Sequence, residues 1–239
     1  MKSSSLIGGM LEWNKILNYE EILVTNELRI IRIEKIGKGC LSYIFCSGDE
    51  AMIIDSLYPI SYYVDLIKVK KLKITDVVDT NQHADHISAS RELAHITNSK
   101  LHVSEYEKYS FDANHINENT KLNIGNKEIK IIHAPCHTIG SLCLIIDMEY
   151  IFSSDVISFN GVGRPDLHEN SIILADKLYH TLHNKILNLP EHIKIFPAHQ
   201  SREYLINCDK NKIKYITIKD IKKNKLFGIT KNEFIERYS

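Results

Sequence analysis

A cluster of metal-type side chains lies within one run of eight residues, Asp79-Thr80-Asn81-Gln82-His83-Ala84-Asp85-His86. A short apolar segment at 74–78, typical of a buried parallel strand, precedes the run, and a helical pattern at 87–97 follows it. Two imidazoles and a carboxylate within four residues, on a loop between a strand and a helix, are typical of a metal site. A polar turn with incidental histidines is the alternative, but such a turn requires neither the two histidines nor the aspartate between them.

Three further ligand-type residues follow apolar strand patterns elsewhere in the chain. His137 lies on a tight proline-containing loop between two strands, Asp155 ends the pattern at 150–155, and His199 ends the pattern at 193–199. A single histidine is usually solvated, and we expect this of His102. The repetition of one context, an apolar strand and then a ligand, is harder to obtain by chance. In a sandwich of two sheets, such strand ends would converge at one edge and form a metal site there.

The overall composition excludes several classes of partner. The 239 residues include 30 basic and 30 acidic side chains, so there is no electrostatic basis for binding nucleic acid or an anionic membrane. The five cysteines are odd in number and lack paired spacing, which is typical of reduced thiols. No apolar run reaches the roughly 18–20 residues that span a bilayer, and no secretory signal is recognisable. We therefore expect a soluble, cytoplasmic protein.

Strand and helix patterns surround the predicted site. A β-meander is predicted over 28–33, 40–45 and 51–55, with a hairpin turn at 47–49, and a second hairpin turns at Gly125-Asn126. Helices are predicted at 62–71 and 171–187, and a short capping helix is predicted around Phe234. A chain of this length can bury one large core. These patterns predict an α/β (α+β) fold whose strand ends position the ligands.

The order of the motifs resembles the metallo-β-lactamase fold superfamily, and within it the persulfide dioxygenase branch, including members linked to rhodanese domains. The runs that carry this likeness are His83-Ala84-Asp85-His86-Ile87, Arg91-Glu92-Leu93-Ala94, Gly37-Lys38-Gly39-Cys40-Leu41-Ser42-Tyr43 and, most specifically, Gly161-Val162-Gly163-Arg164-Pro165-Asp166-Leu167. The resemblance extends from about residue 28 to residue 233. It implies an αββα metallo-β-lactamase-type sandwich.

The resemblance also implies a set of metal-binding positions. They are Asn81, His83, Asp85, His86, His137, Asp155 and His199. In dioxygenases of this branch, the positions matched by Asn81, His137 and Asp155 hold one iron through two histidines and a carboxylate, a geometry that leaves positions open for dioxygen and substrate. In a hydrolase, the other four residues would complete a binuclear site. Fe(II) is therefore the expected cofactor, with Zn as the alternative.

This sequence departs from the family pattern close to the predicted site. Asn81 replaces the first histidine, and because an amide oxygen is a weak donor, the replacement should lower the affinity for iron. Ser154 and Cys136 replace glycines that precede the aspartate and histidine ligands. A packed thiol is the expected state of Cys136.

The start of the chain differs in character from the rest. Gly8-Gly9-Met10 and Trp13 resemble the closing segment of a rhodanese domain, a sulfur-transfer module. This likeness predicts a rhodanese-like remnant or appendage at 1–23 and a metallo-β-lactamase-fold domain at 24–239. An N-terminal amphipathic helix on the main domain is the alternative.

Three functions remain open from the sequence. The first is oxidation of a low-molecular-weight thiol persulfide, such as glutathione persulfide, with Fe(II) activating dioxygen. The second is hydrolysis of a thioester, as in glyoxalase II, by a hydroxide that bridges two metal ions. The third is a non-catalytic member that binds a sulfur carrier or a partner, for which Asn81 is the argument. A rhodanese domain and a second copy of the chain, in a homodimer, are the expected protein partners.

Two residues are predicted to take part in catalysis beyond metal binding. Asp85 belongs to the first ligand loop, and Arg164 belongs to the glycine-rich run that follows Asp155. Arg164 is predicted either to brace the site or to meet an anionic thiol substrate. A buried ion pair with Asp166 is the structural alternative for this arginine.

Overall fold

The computed structural model describes residue 5 and residues 7–83, 86–136, 138–167, 170–200 and 214–239. Two β-sheets pack face to face, and helices cover the outer face of each. The first sheet contains β1 (Leu17–Val24), β2 (Leu28–Lys35), β3 (Cys40–Ser47), β4 (Glu50–Ile54), β5 (Lys73–Val78), β6 (Lys100–Ser104) and β7 (Asn114–Ile116), in that order. The order of strands follows the order of the chain, so neighbours in sequence are neighbours in the sheet.

The second sheet has six strands, and a two-stranded ribbon accompanies it. The strands from β8 onward are β8 (Leu122–Ile124), β9 (Lys127–His133), β10 (Leu142–Ile146), β11 (Tyr150–Ser154), β12 (Ile157–Ser158), β13 (Gly161–Val162), β14 (Lys194–Pro197) and β15 (Ile216–Thr217). The sheet order is β15-β14-β11-β10-β9-β8, and β12 pairs with β13. Strand β14 runs parallel to β11 while the other pairs are antiparallel.

The helices lie outside the two sheets. They are α1 (Gly9–Trp13), α2 (Ile60–Lys70), α3 (Ser90–Thr97), α4 (Ser171–His180), α5 (Ile218–Lys222) and α6 (Lys231–Tyr238), and a π-helical turn, Thr181–Ile186, continues α4. None of the helices among the described residues is long and apolar enough to cross a membrane.

Three apolar layers hold the fold together, and strand alternation explains them. On β2, Ile30 points between the sheets and Ile31 points toward α2 and α3, and both are fully buried. Phe152 and Phe196, with ring centroids 5.2 Å apart, pack against Tyr43 between the sheets. The Tyr43 hydroxyl donates a hydrogen bond of 2.7 Å to the carbonyl of Pro197, which ties the two sheets together beside the end of β14. The αββα prediction is confirmed.

A strand of the first sheet crosses the predicted domain boundary at residue 23. Strand β1 pairs along its length with β2, so residues 17–24 belong to the first sheet, and the predicted boundary after residue 23 falls inside a strand. The alternation that would have indicated this strand is weak, because β1 is an edge strand with only Leu17 and Ile22 buried. Trp13 precedes the strand, is 39% exposed, and lies outside the sandwich against the turn at Gly37.

Helix α3 begins later than the helical pattern predicted, at Ser90 rather than at 87. The Ser88 hydroxyl donates to the carboxylate of Asp79 at 2.8 Å and accepts the backbone N–H of Ser90 at 3.0 Å. These bonds hold residues 86–89 in a loop. The loop that carries the first metal-type residues therefore runs from residue 79 to residue 89, which is three residues longer than the sequence pattern indicated. We call it the first metal-type loop.

The prediction that His102 is solvated is wrong. His102 is 4% exposed, and its Nε2 lies 2.7 Å from Oδ1 of Asp76 on the neighbouring strand. Burial alone would raise the pKa of Asp76, but hydrogen bonds from His102 and Thr75 outweigh it and hold that pKa below its ordinary value. A strand pattern does not reveal this pair, because the two residues are 26 positions apart.

We expect Asp76→Asn to lower the free energy of unfolding by about 1–3 kcal/mol at neutral pH, since it removes a hydrogen bond to a charged group. The folded pKa is below the unfolded one, so this stability is present above about pH 3.8 and is lost as the pH falls through the folded pKa. Urea unfolding from pH 7 down to pH 3 measures the difference. Asp49→Asn, in an exposed turn, is the control. A difference that stays constant as the pH falls would contradict this account.

Candidate metal centre

The first metal-type loop meets the second sheet along a short seam at residue 80. The backbone N–H of Leu142, at the start of β10, donates to the carbonyl of Thr80 at 2.8 Å. The Thr80 hydroxyl lies 2.8 Å from Oδ2 of Asp55, at the end of β4, and 2.8 Å from Oγ of Ser154, at the end of β11. One threonine thus joins strand ends of both sheets.

Asp155 is the centre of the side-chain cluster beside this seam. Its Oδ1 lies 2.6 Å from Nδ1 of His199, and its Oδ2 accepts a hydrogen bond of 3.0 Å from Nδ2 of Asn81. Nδ1 of His83 lies 3.9 Å from the same Oδ2. A carboxylate, an amide and two imidazoles from three separate loops therefore converge on one point, and such mixed nitrogen and oxygen donors suit a first-row transition metal.

His83 is buried among carboxylates. Its Nε2 lies 3.2 Å from Oδ1 of Asp55, and the donor atoms of Asp55, Asp79 and His83 all lie within 4.8 Å of one another. The ring of His86 lies 4.3 Å from the ring of His83. Burial by itself would lower the pKa of His83, but Asp55, Asp79 and Asp155 together raise it to about 9. Burial raises the pKa of Asp79.

This protonation predicts how metal binding should depend on pH. Below about pH 9, His83 of the metal-free protein carries a proton, so a metal ion that takes its nitrogen must displace that proton. We expect the metal affinity to rise by up to about tenfold for each pH unit between pH 6.5 and 9 and then to level off. Calorimetric titration with Zn²⁺ in two buffers of different ionisation enthalpy counts the released protons.

His83→Gln is the variant that checks the source of the proton. It should release fewer protons than the natural protein on binding Zn²⁺, while His95→Gln, on the exposed face of α3, should leave the number unchanged. Equal proton release from the natural protein and from His83→Gln would show that His83 is not the group displaced.

Two glycines allow the ligand loops to approach other backbone closely. A Cβ at Gly163 would lie 2.2 Å from the carbonyl oxygen of Asp155, and a Cβ at Gly39 would lie 2.4 Å from the carbonyl oxygen of Gln200, next to His199. Gly39 also has a φ of +76°, which favours glycine. Both glycines belong to the sequence runs noted above, so the runs correspond to close packing behind Asp155 and His199.

Ser154 occupies a backbone conformation that favours the glycine of the family pattern at this position. Its φ is +54°, in the left-handed region, which costs a non-glycine residue roughly 1 kcal/mol or more. The short contact between its hydroxyl and that of Thr80 offsets part of this strain. The departure from glycine is thus accommodated without displacing the following aspartate from its partners.

The structure places the predicted site residues in three groups. Asn81, His83, Asp155 and His199 come together directly, and His86 lies beside His83. Asp85 and His137 lie outside the described residues. Cys136 is buried and lies 3.5 Å from the hydroxyl of Ser141, as a small packed thiol.

Arg164 pairs with Asp166, as its structural alternative predicted, but the pair lies at the surface. It forms a bidentate ion pair with Asp166, of 3.1 Å and 2.7 Å, and its side chain is 67% exposed. The pair is therefore a surface pair and not a buried one, because the two residues lie at the start of a short 3₁₀ turn on the surface rather than inside the sandwich. A role of Arg164 toward the substrate stays a prediction.

A cavity of about 680 Å³ lies beside the first metal-type loop, at the carboxyl ends of the parallel strands β4 to β6. Its lining consists of Tyr58, Asp79, Ser88, Arg91, Glu92, His95, Ile96 and Phe111. The guanidinium of Arg91 lies 5.3 Å above the ring of Phe111, and no carboxylate pairs with it among the described residues. The contact of Arg91 with Phe111 could not be predicted from the sequence, because Phe111 lies on a loop 20 residues further along the chain.

Comparison with known proteins places these features in a family. The model of the metallo-beta-lactamase superfamily matches residues 36–199. The mitochondrial persulfide dioxygenase ETHE1 of Mus musculus is 31% identical over 169 residues, which cover 68% of this chain and 65% of that protein. The hydroxyacylglutathione hydrolase of Prochlorococcus marinus is 26% identical over 171 residues, or 67% of this chain and 65% of that protein. The chain thus aligns with about two thirds of the length of these relatives.

Solved structures show the same architecture. A metallo-beta-lactamase from Staphylococcus aureus superposes with a TM-score of 0.80 and 26% identity, covering 89% of this chain and 67% of that one. ETHE1 from Myxococcus xanthus superposes with a TM-score of 0.75 and 21% identity, covering 86% of this chain and 87% of that one. At 21% identity, the similarity to the Myxococcus xanthus structure establishes the fold alone.

Proposed function

Because this chain belongs to the metallo-β-lactamase superfamily, we propose that it is a metal-dependent enzyme of sulfur metabolism that oxidises a low-molecular-weight thiol persulfide. The observation that carries the proposal is the convergence of Asn81, His83 and His199 on the carboxylate of Asp155. The glycine-rich run that packs behind Asp155 is the part of the sequence most typical of persulfide dioxygenases. The similarity to ETHE1 of Mus musculus supports the same substrate class.

The donor set at Asp155 fits a transition metal. Asp155, Asn81 or His83 and, as the resemblance implies, His137 would hold one ion, and His86 and His199 lie near it. A bound Fe(II) would supply the activation of dioxygen toward the terminal sulfur, whereas Zn²⁺ would supply only Lewis acidity. We propose Fe(II), because one carboxylate with nitrogen donors matches the iron site of the dioxygenases that the sequence resembles.

The chain's own residues would prepare the site for this chemistry. Asp55 holds His83, and His199 holds Asp155, each by a contact of a side-chain nitrogen with a carboxylate oxygen. The contact of His83 with Asp55 is closed to solvent, whereas the His199 side chain is 30% exposed. The cavity beside the loop would receive the carrier part of the substrate, with Arg91 meeting a carboxylate of a thiol such as glutathione.

A thioester hydrolase of the glyoxalase II kind is the second candidate. The contact of 2.6 Å between His199 and Asp155 favours it, because a late histidine near a shared carboxylate is what a second metal ion requires. The similarity to a hydroxyacylglutathione hydrolase points the same way. A non-catalytic role in binding a sulfur carrier is the third, and Asn81 remains its basis.

Metal content and two parallel assays test the proposal. The protein, purified without oxygen, should contain close to one iron per chain and consume oxygen with glutathione persulfide, while a glutathione thioester stays intact. Two zinc ions with thioester hydrolysis would establish the hydrolase instead. Absence of bound metal and of both activities would establish the non-catalytic role. A rhodanese domain as sulfur donor, and a homodimer, are proposed partners that copurification and sedimentation can test.

Arg91→Gln tests the substrate part of the proposal. We expect the KM for glutathione persulfide to rise by about tenfold with kcat nearly unchanged, since the lost contact is to a charged group remote from the reacting sulfur. Arg237→Gln is the matched control, because Arg237 is also an exposed arginine beside an aromatic ring, on α6 of the opposite face. An unchanged KM in Arg91→Gln would rule out this cavity as the carrier site.

A further inference from the structure

A short segment after β6, residues 105–109, contacts both loops that carry metal-type residues. We propose that Glu107 is a positioning residue, which fixes the loop 134–141 against the loop 79–83 and thereby sets the spacing of the metal-binding side chains. The proposal rests on the metal site described above, and it assigns Glu107 no contact with substrate. Residue 137 lies outside the described residues, and the contacts of this loop are made by the residues that flank it.

The first contact is between Glu107 and Gly140. The backbone N–H of Gly140 donates to Oε1 of Glu107 at 3.1 Å, and a Cβ at Gly140 would lie 2.2 Å from Cγ of Glu107. The glutamate side chain therefore occupies the space that any other residue at 140 would fill. Tyr109 donates its hydroxyl hydrogen to Oε2 at 3.0 Å, so both carboxylate oxygens are engaged and the orientation of the group is fixed.

The second contact is made by Tyr106, the residue directly before Glu107. The ring of Tyr106 stacks on the ring of His133, with centroids 3.6 Å apart and planes inclined by 14°. Nε2 of His133 lies 2.7 Å from the carbonyl oxygen of Ile139, which closes the loop on itself. Tyr106 and Glu107 thus hold the two ends of the same loop, at His133 and at Gly140.

The third contact reaches the other loop. The Nε2 amide of Gln82 donates to the carbonyl of Lys108 at 2.8 Å, and Gln82 lies between Asn81 and His83 in the chain. Segment 105–109 therefore binds the loop 79–83 through its backbone and the loop 134–141 through two side chains. Because both attachments lie within five consecutive residues, a change at Glu107 should alter the distance between the loops rather than the stability of either sheet.

The test compares Glu107 with a glutamate two residues away. Glu105 accepts a hydrogen bond of 2.6 Å from Asn117 at the surface, and it contacts neither metal-type loop among the described residues. The variants are Glu107→Ala, Glu107→Gln and Glu105→Ala in the full chain. Three quantities are measured: the dissociation constant for Co²⁺, the visible absorption spectrum of the Co²⁺ form, and hydrogen exchange at the Gly140 amide of the metal-free protein.

We expect Glu107→Ala to weaken Co²⁺ binding by about 10–100-fold, as for other residues that orient metal ligands, and to change the Co²⁺ spectrum. Its Gly140 amide should exchange faster than in the natural protein. Glu107→Gln retains the acceptor for Gly140 and should recover affinity to within about threefold. Glu105→Ala should match the natural protein in all three measurements.

Several outcomes would overturn the proposal. One is a Co²⁺ affinity and spectrum of Glu107→Ala that equal those of Glu105→Ala, even if its melting temperature is lower, because that pattern describes a purely structural residue. If Glu107→Ala does not fold, Glu107→Gln is the deciding variant. A loss of Co²⁺ affinity of about 100-fold in Glu107→Gln would refute a role that depends on the acceptor oxygen. If the natural protein binds no metal, the proposed function fails. Unchanged hydrogen exchange at the Gly140 amide in Glu107→Ala would show, independently of the metal, that Glu107 does not hold this loop.

Discussion

Asn81→His should raise the affinity of the protein for Fe(II) by at least about 10–100-fold and raise the rate of persulfide oxidation with it. Even the loss of a residue that only orients a metal ligand costs on the order of 10–100-fold in affinity or activity, so regaining a ligand should recover at least that much. Anaerobic iron titration and oxygen uptake with glutathione persulfide measure the two quantities on the same preparations.

The geometry of Asn81 explains the direction of this change. Its Nδ2 donates to Oδ2 of Asp155, so the amide group turns a hydrogen atom toward the carboxylate. An N–H group cannot bind a cation, and an amide oxygen would bind it weakly, whereas a neutral imidazole offers a nitrogen lone pair that suits iron. The position is buried, at 1% exposure, so the new ring would be held close to Asp155.

The control for this variant is Ile87→His, which adds an imidazole at an exposed position of the same loop. It should not strengthen iron binding. The account of Asn81 is wrong if the natural protein already holds one iron per chain and turns over as fast as Asn81→His. In that case His83, with Nδ1 at 3.9 Å from Asp155, would be the residue that takes the place of the missing histidine.

Asp155→Ala should have the largest effect of any single substitution, a loss of metal affinity of more than about 100-fold. The carboxylate is the one group that His199, Asn81 and His83 all approach, so its removal takes away both an anionic ligand and the reason for their convergence. Metal analysis after dialysis and titration with Zn²⁺ or Fe(II) measure the loss. Circular dichroism checks that both sheets remain.

Two further variants separate the charge of Asp155 from its position. Asp155→Asn keeps an acceptor oxygen and should lose less affinity than Asp155→Ala. Asp147→Asn is the matched control, since Asp147 lies at the other end of β11, pairs with Lys127 at 2.8 Å, and has the positive φ that asparagine tolerates. Normal metal binding in Asp155→Ala would place the metal elsewhere, with Asp55, Asp79 and His83 as the remaining cluster of ligand-type groups among the described residues.

Local signals explain which parts of this fold could be predicted from the sequence. The turns at Gly48 and Gly125 and the strand before Asp155 were predicted within one or two residues, because each depends on neighbours in the chain. The prediction that Asp155 and His199 end their strands at the same edge also depended on a repeated local pattern. Family resemblance supplied the order of the ligands and the αββα architecture.

Contacts between distant segments account for what could not be predicted. The side-chain contacts of His83 with Asp55 and of His102 with Asp76 join segments more than 20 residues apart, so the sequence around each residue does not indicate its partner. Strand β1 was assigned to an appendage because an edge strand buries too few side chains to show alternation. The Arg164–Asp166 pair was one of the alternatives from the sequence, but its surface position was not, because the motif does not show whether the pair is buried.

The seam at Thr80 has a consequence for how this domain folds. The cluster takes side chains from both sheets, and Asn81 and Asp155 are 74 positions apart while Asp155 and His199 are 44 positions apart, so neither half of the chain can assemble it alone. Contacts of such separation form late, after the entropy of closing long loops has been overcome. A metal ion bound there would act as a cross-link between the sheets, and at a free concentration 100 times its dissociation constant it would add about 2.7 kcal/mol to the stability of the domain. Metal supply would then control how much of the protein is folded as well as how much of it is active.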